Sequence, residues 1–504
     1  MDIDSTRWLK LRSGPYIRCR EEQLTDTICE RIGYAFANML AERLKTTPDK
    51  LAIAVGRDDR PSGQRIQAAL IRGITAADSD VLDGGLCAAP ALFMQLKRFA
   101  PQAERTDTDS EQESKTAPQA APIAPQGAVM VTAGYAPQGI NGFKFMTPSG
   151  SLQEADIALL LRMASASEVP ERLVSRVDVL AGYRASLRRM AARLLADDAL
   201  KPLLGLYIVV DAASTGGAFF AALMEDMGAD VERLGVGESL SQAVTRYGAD
   251  MGFGFVQDSS RTALVDHSGR AVDGSRLIAL IAAILLEKQP GATIVTDSVT
   301  STGLSAFIAE WGGVHYRFKR GSRNVIDEAV RLNGEGINCP LAMETTGHAA
   351  FRENDFLDDG IYLALRVACE ALDCKREGKT VFDPLADLSE AVESQTLRLR
   401  ILDEEDPAAA SQEAVEVILS NTLNNREWRM APDSREGVRI LFNLDGGVNN
   451  AWFQLRMSVH DPVMVLNAES DLPGGVKRVL SQLYALIRDT ELLDLEPLKA
   501  VIGK

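Results

Sequence analysis

The chain has 504 residues, of which 46% are apolar and 25% charged, a balance typical of a folded protein with several domains. Its net charge of −16 argues against a nucleic acid or an anionic membrane surface as the main partner. The six cysteines form no Cys-x-x-Cys pair, no run of about 18 apolar residues occurs, and the first residues form no apolar signal segment, so we expect a cytoplasmic protein without a membrane span.

A short apolar strand, a turn and a long amphipathic helix follow one another at three places in the chain. Each such pair predicts a βαβ unit, in which helices connect parallel strands. The predicted pairs are Leu51–Val55 with helix 62–76, Leu206–Val210 with helix 216–227, and Thr293–Thr296 with helix 302–311. Because the pairs are far apart, we interpret them as three related α/β domains, covering residues 1–155, 156–272 and 273–384.

From about residue 385 the pattern changes to several strands followed by a terminal helix. The predicted elements are the strands Thr396–Leu402, Val438–Phe442, Ala451–Met457 and Val463–Ala468, and a helix over residues 474–489. Strands collected in one region and followed by a helix are typical of an α+β domain. We therefore predict a smaller α+β domain over residues 385–504.

Residues 101–126, PQAERTDTDSEQESKTAPQAAPIAPQ, differ in composition from the rest of the chain. They are rich in Pro, Ala, Gln, Ser, Thr and acids and contain almost no aromatic or branched apolar residues. Such a segment buries too little surface to offset the entropy of ordering, so we predict a disordered insert. The insert is either a tolerated surface extension or a tether for a protein partner.

The loop that follows the insert carries the most specific pattern of the chain. In residues 128–150, AVMVTAGYAPQGINGFKFMTPSG, an apolar strand ends in Thr-Ala-Gly and is followed by Asn-Gly-Phe-Lys-Phe. This stretch resembles the phosphoserine loop of the α-D-phosphohexomutases (phosphoglucomutase/phosphomannomutase), which reads T-A-S-H-N-P and then N-G-x-K-F. Gly134 stands where that family has its phosphorylated serine, Tyr135 where it has histidine and Ala136 where it has asparagine. The resemblance implies a phosphoryl-transfer loop without its nucleophile.

Three further motifs occur in the order and spacing of that family. GPYIR at residues 14–18 resembles its G-T-S-G-I-R, GRDDRPS at 56–62 resembles G-R-D-x-R-x-S, and DAASTGG at 211–217 resembles D-x-x-x-G-x-G. The resemblance covers nearly the whole chain and implies an α/β architecture of four domains around a central cleft. It makes Arg18, Lys144 and His348 candidate residues of that cleft.

The resemblance also identifies a reduced metal loop. The family sequence D-G-D-G-D-R holds Mg²⁺ with alternate carboxylates, and the corresponding residues 256–261 here read VQDSSR. Only Asp258 remains, beside Arg261, and Mg²⁺ requires near-octahedral oxygen ligation. We expect no cofactor and interpret Asp258 as a partner of Arg261 or of a loop amide rather than as a metal ligand.

The motifs for sugar and phosphate recognition are better preserved than the metal loop. Glu344 to His348, ETTGH, resembles the E-x-S-G-H sugar loop, and Asp359-Gly360 follows it as in the family. Residues 456–465 resemble the phosphate clamp R-P-S-G-T-E-P-x-x-R, although Val465 replaces its second arginine. With the basic cluster at 319–323, these motifs predict a hexose-phosphate site formed by Glu344, Thr346, Gly347, His348, Lys319, Arg320, Arg456, Ser458 and His460.

These observations leave three hypotheses open. The chain is a divergent phosphohexomutase homologue that binds a hexose phosphate with absent or strongly impaired phosphoryl transfer. Alternatively, it is an active mutase that interconverts hexose 1- and 6-phosphates through a relocated hydroxyl nucleophile, with Thr132, Tyr135, Ser149 and Ser151 as candidates. The third possibility is a non-catalytic interaction subunit that uses insert 101–126.

Overall fold

The structure is a computed structural model that describes residues 7–98, 124–169, 175–176, 178–197, 199–403, 406–422, 428–458 and 461–503. It divides into two units, one of Met1–Thr262 with Asp359–Leu365 and the other of Ala263–Asp358 with Arg366–Lys504. Most of the predicted insert 101–126 lies outside the described residues. Its end is ordered, because the backbone N–H of Gln126 donates to the carbonyl of Ala52 at 2.8 Å.

The first unit contains an eight-stranded sheet in the order β1-β2-β6-β5-β3-β4-β8, with β7 paired to β6. Its strands are β1 (Arg12–Ser13), β2 (Tyr16–Arg20), β3 (Ala52–Arg57), β4 (Asp80–Leu86), β5 (Gly127–Val131), β6 (Ile140–Thr147), β7 (Gly150–Ser151) and β8 (Ser175–Arg176). Strand β3 runs parallel to β4 and β5 and is buried along almost its whole length, as expected for a central parallel strand. The carboxyl end of β5 therefore delivers residues 132–139 to the edge where ligands approach parallel strands.

Helices cover the faces of this sheet. They are α1 (Asp26–Leu44), α2 (Gly63–Ala76), α3 (Ala89–Arg98), α4 (Glu154–Ala166) and α5 (Val179–Leu195). Helix α1 begins where the Thr25 hydroxyl accepts a hydrogen bond from the Ile28 amide, and it ends at Lys45 in the left-handed region. Its buried face contacts the sheet through Phe36, whose ring centroid lies 4.9 Å from that of Phe145.

The first unit continues with three parallel strands in the order β10-β9-β11. These are β9 (Tyr207–Asp211), β10 (Asp230–Leu234) and β11 (Met251–Phe255), with helices α6 (Thr215–Asp226) and α7 (Leu240–Tyr247). Ser214 accepts a hydrogen bond from the Gly217 amide at 3.1 Å and so starts α6 directly after the strand. The sequence predicts this strand and helix with an offset of one residue.

The second unit begins within the hairpin of β12 (Thr262–Asp266) and β13 (Ala271–Val272). A four-stranded sheet then runs in the order β15-β14-β16-β17, followed by a five-stranded antiparallel sheet in the order β18-β22-β21-β20-β19. The strands are β14 (Thr293–Asp297), β15 (Val314–Phe318), β16 (Leu341–Met343), β17 (Ala349–Phe351), β18 (Glu393–Arg400), β19 (Trp428–Met430), β20 (Val438–Phe442), β21 (Ala451–Met457) and β22 (Val463–Ser470). The helices are α8 (Gly274–Lys288), α9 (Thr302–Glu310), α10 (Ser322–Gly334), α11 (Gly360–Arg376), α12 (Pro407–Thr422), α13 (Gly475–Ile487) and α14 (Glu496–Ile502).

The structure confirms the predicted mixed α/β architecture. The predicted strands 438–442 and 451–457 have the observed bounds, whereas helix α12, strand β19 and the final helix α14 are additional elements of the α+β region. No helix in the described part of the chain is long and apolar enough to cross a membrane.

Candidate functional site

The loop after β5 is held in a fixed turn by two neighbouring polar groups. The Thr132 hydroxyl donates to Asp58 Oδ2 at 2.6 Å and accepts a hydrogen bond from the Gly134 amide at 2.9 Å. Gly134 has φ of +60°, a left-handed conformation that glycine adopts without the strain of a side chain. The hydroxyl of Thr132 is therefore committed to shaping the loop.

Arg60 fixes the rest of this loop. Its Nη1 donates to the carbonyls of Pro137 and Ile140, and its Nη2 donates to those of Gly134 and Ala136, at distances of 2.7–3.1 Å. Arg60 is 6% exposed, and its Nε lies 3.4 Å from Asp58. The GRDDRPS motif thus supplies the arginine and the carboxylate that shape the loop.

The remaining carboxylate of the predicted metal loop is paired with a lysine. Asp258 is completely buried, and its Oδ2 forms an ion pair with Lys144 Nζ. Its Oδ1 accepts hydrogen bonds from the Ser260 amide at 3.2 Å and the Ser260 hydroxyl at 2.8 Å. Burial raises the pKa of Asp258, but Lys144 and the Ser260 donors outweigh burial and hold that pKa well below its usual range. Of the two predicted alternatives, the loop amide is present as the Ser260 amide, and among the described residues Asp258 forms its ion pair with Lys144 and not with Arg261.

These residues do not fit a magnesium ion. Within the described ranges, no three His, Cys, Asp or Glu side chains come together closely enough to hold a metal. Asp258 is the single carboxylate of its loop, and the Lys144 ammonium already occupies the position at its Oδ2. Mg²⁺ needs several oxygen ligands, so this donor set does not hold it.

Two arginines lie beside the exposed ring of Tyr135. The guanidinium carbon of Arg18 is 5.0 Å from the ring centroid, and that of Arg261 is 4.7 Å away. Tyr135 is 61% exposed, and it follows directly after Gly134. Arg18, Lys144, Asp258 and Arg261 are thus gathered around one loop of the first unit.

In the second unit, the predicted sugar loop forms a compact turn after β16. The amide of Gly321 donates to Glu344 Oε1 at 2.5 Å, and the Thr346 hydroxyl donates to Glu344 Oε2 at 3.2 Å. Burial and the nearby charge of Asp297 raise the pKa of Glu344. The amide and hydroxyl of Thr345 in turn donate to Asp297, at 3.1 and 2.8 Å, which ties this turn to the end of β14.

His348 of this loop pairs with a carboxylate that the sequence analysis does not identify. Its Nδ1 lies 2.8 Å from Asp358 Oδ2. The neighbouring Asp359, which the sequence associates with the sugar loop, belongs to the first unit. There it is fully buried and accepts hydrogen bonds from the Tyr183 hydroxyl at 2.7 Å and the Tyr362 amide at 2.8 Å. Asp359 therefore has a structural role at the start of α11.

The basic residues of the second unit surround another unexpected carboxylate, Glu436. The backbone amide of Arg320 donates to Glu436 Oε2 at 3.1 Å, and Arg456 Nε lies 3.9 Å from the same atom. Arg456 is 4% exposed, and burial lowers its pKa. Arg320 also lies 3.9 Å from Asp297, and Lys319 is exposed.

Two predicted clamp residues, Ser458 and His460, follow Arg456, and the structure describes the first of them. Ser458 follows β21, and its hydroxyl accepts a hydrogen bond from the Asp461 amide at 3.4 Å. His460 lies outside the described residues. The carboxylates Asp297, Asp358 and Glu436 complete this region and were missed by motif reasoning. The position of Asp297 at the carboxyl end of a parallel strand was the one available sequence indication.

Comparison with known proteins identifies similar sequences and folds over most of the chain. A family model described as phosphoglucomutase/phosphomannomutase, alpha/beta/alpha domain I, matches residues 16–164, and the corresponding model of domain III matches residues 273–391. A phosphoglucosamine mutase of Desulforudis audaxviator is 30% identical over 371 residues, which cover 69% of this chain and 74% of that protein.

Two further similarities extend over greater lengths. A phosphomannomutase/phosphoglucomutase of Pseudomonas putida is 25% identical over 468 residues, which cover 88% of this chain and 88% of that protein. The crystal structure of a phosphoglucomutase/phosphomannomutase family protein from Burkholderia thailandensis matches with a TM-score of 0.74 over 98% of this chain and 100% of that chain, at 21% identity. The four sheets and their helices are therefore those of a known multi-domain α/β fold.

Proposed function

Because the chain belongs to the α-D-phosphohexomutase family, we propose that it binds a hexose phosphate and that its phosphoryl transfer is absent or strongly impaired. The observation that carries this proposal is the environment of Gly134. A Cβ at Gly134 would lie 3.5 Å from Asp258 Oδ2 and 3.7 Å from Arg18 Nη2, so a side chain here would face the charged groups of the loop. The charged surroundings are present, and the residue that faces them has no nucleophile.

Nearby hydroxyls do not readily replace a serine at this position. Thr132 is bonded to Asp58 and Gly134, Ser260 donates to Asp258, and Ser149 lies 2.8 Å from the Thr147 hydroxyl. A nucleophilic hydroxyl needs a base to take its proton and a cation to stabilise the transferred group. At Asp258, the carboxylate that would hold a metal is neutralised by Lys144 instead.

Binding is supported by the second unit. Arg320 and Arg456 supply charge for a phosphate, and Glu344 with the His348–Asp358 pair supplies acceptors and a donor suited to sugar hydroxyls. The family relatives are named for phosphorylated hexoses, among them phosphoglucosamine mutase and phosphomannomutase/phosphoglucomutase. The particular hexose stays open.

The binding proposal is tested by thermal-shift titration with glucose 6-phosphate, mannose 6-phosphate and glucosamine 6-phosphate. We expect at least one of them to raise the melting temperature, because a ligand that binds the folded state stabilises it. Arg320→Gln should abolish this rise. Arg331→Gln, which removes an arginine paired with Glu328 and Glu335 on helix α10 outside the basic cluster 319–323, should retain it. Absence of stabilisation at about 10 mM of every ligand contradicts binding.

One observation favours a second function, an active mutase with a relocated nucleophile. Tyr135 is exposed, and its ring lies beside Arg18 and Arg261, which could stabilise a phosphorylated phenol. Magnesium-dependent conversion of hexose 1-phosphates in a coupled assay would support this function if Tyr135→Phe abolished it. If the Tyr135→Phe variant kept this activity, Tyr135 would be excluded as the nucleophile.

A further inference from the structure

The loop between β19 and β20, residues 431–437, contacts the four-stranded sheet of the same unit. Asp433 forms an ion pair with Arg317 Nη1 at 2.5 Å, and the guanidinium carbon of Arg435 lies 4.2 Å from the ring centroid of Tyr316. Both partners belong to β15. These two contacts fix the place of the loop, and with it the place of the carboxylate that follows Arg435 in the chain.

This carboxylate, Glu436, accepts hydrogen bonds from donors of the kind that bind anions. Its Oε2 accepts from the Ser298 hydroxyl at 2.5 Å and from the Arg320 amide at 3.1 Å, and it lies 3.9 Å from Arg456 Nε. Hydroxyls, backbone amides and guanidinium groups are the donors that proteins use for phosphate oxygens. Glu436 therefore occupies a position where a phosphate oxygen would meet the same donors.

Arg456 is only partly satisfied by this arrangement. Its Nε is buried and has no hydrogen-bond partner among the described residues, since 3.9 Å is too long for a hydrogen bond. Its Nη1 donates to the carbonyl of Met457 at 3.2 Å. A buried donor without an acceptor is unfavourable, and an anion closer to Arg456 than the Glu436 carboxylate would relieve this cost.

The charges of this region disfavour an additional anion. Among the described residues, the charged groups that act most strongly on Arg456 are Arg320 and the carboxylates of Glu436, Asp297 and Glu344. Two cations thus face three carboxylates, and these carboxylates repel a phosphate that carries about two negative charges. A phosphate therefore binds here more easily once one carboxylate has left.

Of the three carboxylates, Glu436 has the side chain that is best placed to leave. Asp297 is completely buried and Glu344 is 4% exposed, and each accepts two hydrogen bonds. The Glu436 side chain is 15% exposed. Its backbone is fixed, because its carbonyl accepts a hydrogen bond from Gln454 Nε2 at 3.1 Å. Rotation of the side chain therefore removes the carboxylate without moving the loop.

We propose that Glu436 is an internal competitor of the ligand phosphate. Its carboxylate rotates away when the phosphate binds to Arg456, to the Arg320 amide and to the Ser298 hydroxyl. This role of Glu436 rests on the proposed function, because the phosphate is that of the hexose phosphate proposed above. The affinity for the ligand is then limited by the displacement of Glu436, so that removing its charge strengthens binding.

Isothermal titration calorimetry of the full chain with glucose 6-phosphate, mannose 6-phosphate and glucosamine 6-phosphate compares the wild type with Glu436→Gln. Glutamine keeps the length of the side chain and an acceptor oxygen but removes the negative charge. We expect the Kd to fall at least about fivefold, because the phosphate no longer displaces a charged competitor. The matched control is Glu335→Gln, which removes a carboxylate paired with Arg331 at the end of helix α10 and should leave the Kd unchanged.

A crystal structure of the wild-type chain with the tightest of these ligands tests the same role without a variant. We expect phosphate oxygens at the Arg320 amide and the Ser298 hydroxyl, with the Glu436 carboxylate turned away from both. A residue that merely holds Arg456 in place would stay where it is, and its replacement by glutamine would weaken binding.

Equal or weaker binding by Glu436→Gln would overturn the competitor role, and so would a complex in which Glu436 still accepts from Ser298. In both cases, binding by the wild type leaves the proposed function standing. Binding that occurs only in Glu436→Gln would support the competitor role and contradict hexose-phosphate binding by the native chain. Absence of binding by both proteins would contradict both proposals.

Discussion

At the scale of single residues, the Lys144–Asp258 ion pair determines the charge balance beside Gly134. Asp258 is completely buried and Lys144 is 14% exposed at its side chain, so water screens the pair only weakly. Removing one partner of such a pair leaves the other charge buried without compensation. The loop structure therefore depends on both partners of the pair.

Lys144→Met is expected to lower the free energy of unfolding by about 3–5 kcal/mol, because Asp258 stays buried and unpaired. The double variant Lys144→Met/Asp258→Asn should recover part of this loss. Urea unfolding followed by circular dichroism measures both values, with Lys10→Met, at an exposed lysine, as the control. A loss below about 0.5 kcal/mol for Lys144→Met would contradict the buried pair.

The pair also predicts a pH dependence. A carboxyl whose pKa is lowered in the folded state contributes stability above its unfolded pKa of about 4, and this contribution is lost as the pH falls toward the folded value. Since the pKa of Asp258 is held well below its usual range, the stability difference between wild type and Asp258→Asn should be constant from about pH 6 to 8 and shrink below about pH 4. Urea unfolding at stepwise pH tests this, and a difference that grows toward acid would be inconsistent with it.

At the scale of structural elements, residues 132–139 form a loop whose conformation depends on one arginine. Arg60 donates to the carbonyls of Gly134, Ala136 and Pro137 in the loop and to that of Ile140 at the start of β6. Hydrogen bonds from a charged donor contribute about 1.5–3 kcal/mol each. The conformation of this loop is therefore held by the Arg60 side chain rather than by regular secondary structure.

Arg60→Met should release this loop while the sheet remains folded. We expect amide hydrogen exchange of Gly134, Ala136 and Ile140 to accelerate at least about tenfold, because their turn loses its carbonyl anchors. Arg57→Met, which removes a single side-chain bond to the Asp58 carbonyl, should leave exchange at these amides nearly unchanged. Equal effects of the two substitutions would show that Arg60 does not hold the loop.

The contiguous parts of both sites could be predicted from the sequence, and the parts assembled by folding could not. The Thr-Ala-Gly turn, the ETTGH loop and the strands of the last region are encoded in single stretches with clear apolar patterning. The predicted loop amide is found at Asp258, but its ion-pair partner Lys144 was not predicted, because Lys144 lies far earlier in the chain and meets Asp258 only in the folded unit. Asp297, Asp358 and Glu436 belong to none of the recognised motifs, and charged residues outside a motif resemble ordinary surface positions.

At the scale of the whole molecule, family membership and α/β architecture rest on similarity along most of the chain. The division into domains at 155, 272 and 384, the cytoplasmic location and an interaction role for insert 101–126 stay predictions. The two structural units each contain one group of candidate residues, with the Gly134 loop in the first and the Glu344 and Arg456 region in the second. For the whole molecule, we propose that the nucleophile is lost at Gly134 while the cations and the sugar-binding groups are preserved.

Intact-protein mass spectrometry after incubation with glucose 1,6-bisphosphate and Mg²⁺ distinguishes a lost nucleophile from a relocated one. A phosphoenzyme would gain about 80 Da, the mass of one phosphoryl group. With glycine at position 134, we expect the mass to stay unchanged, while the Gly134→Ser variant shows whether the surroundings still support transfer to a restored hydroxyl. A gain of about 80 Da by the wild-type protein would show that phosphoryl transfer is retained, because another hydroxyl would then have taken over the role of the missing serine.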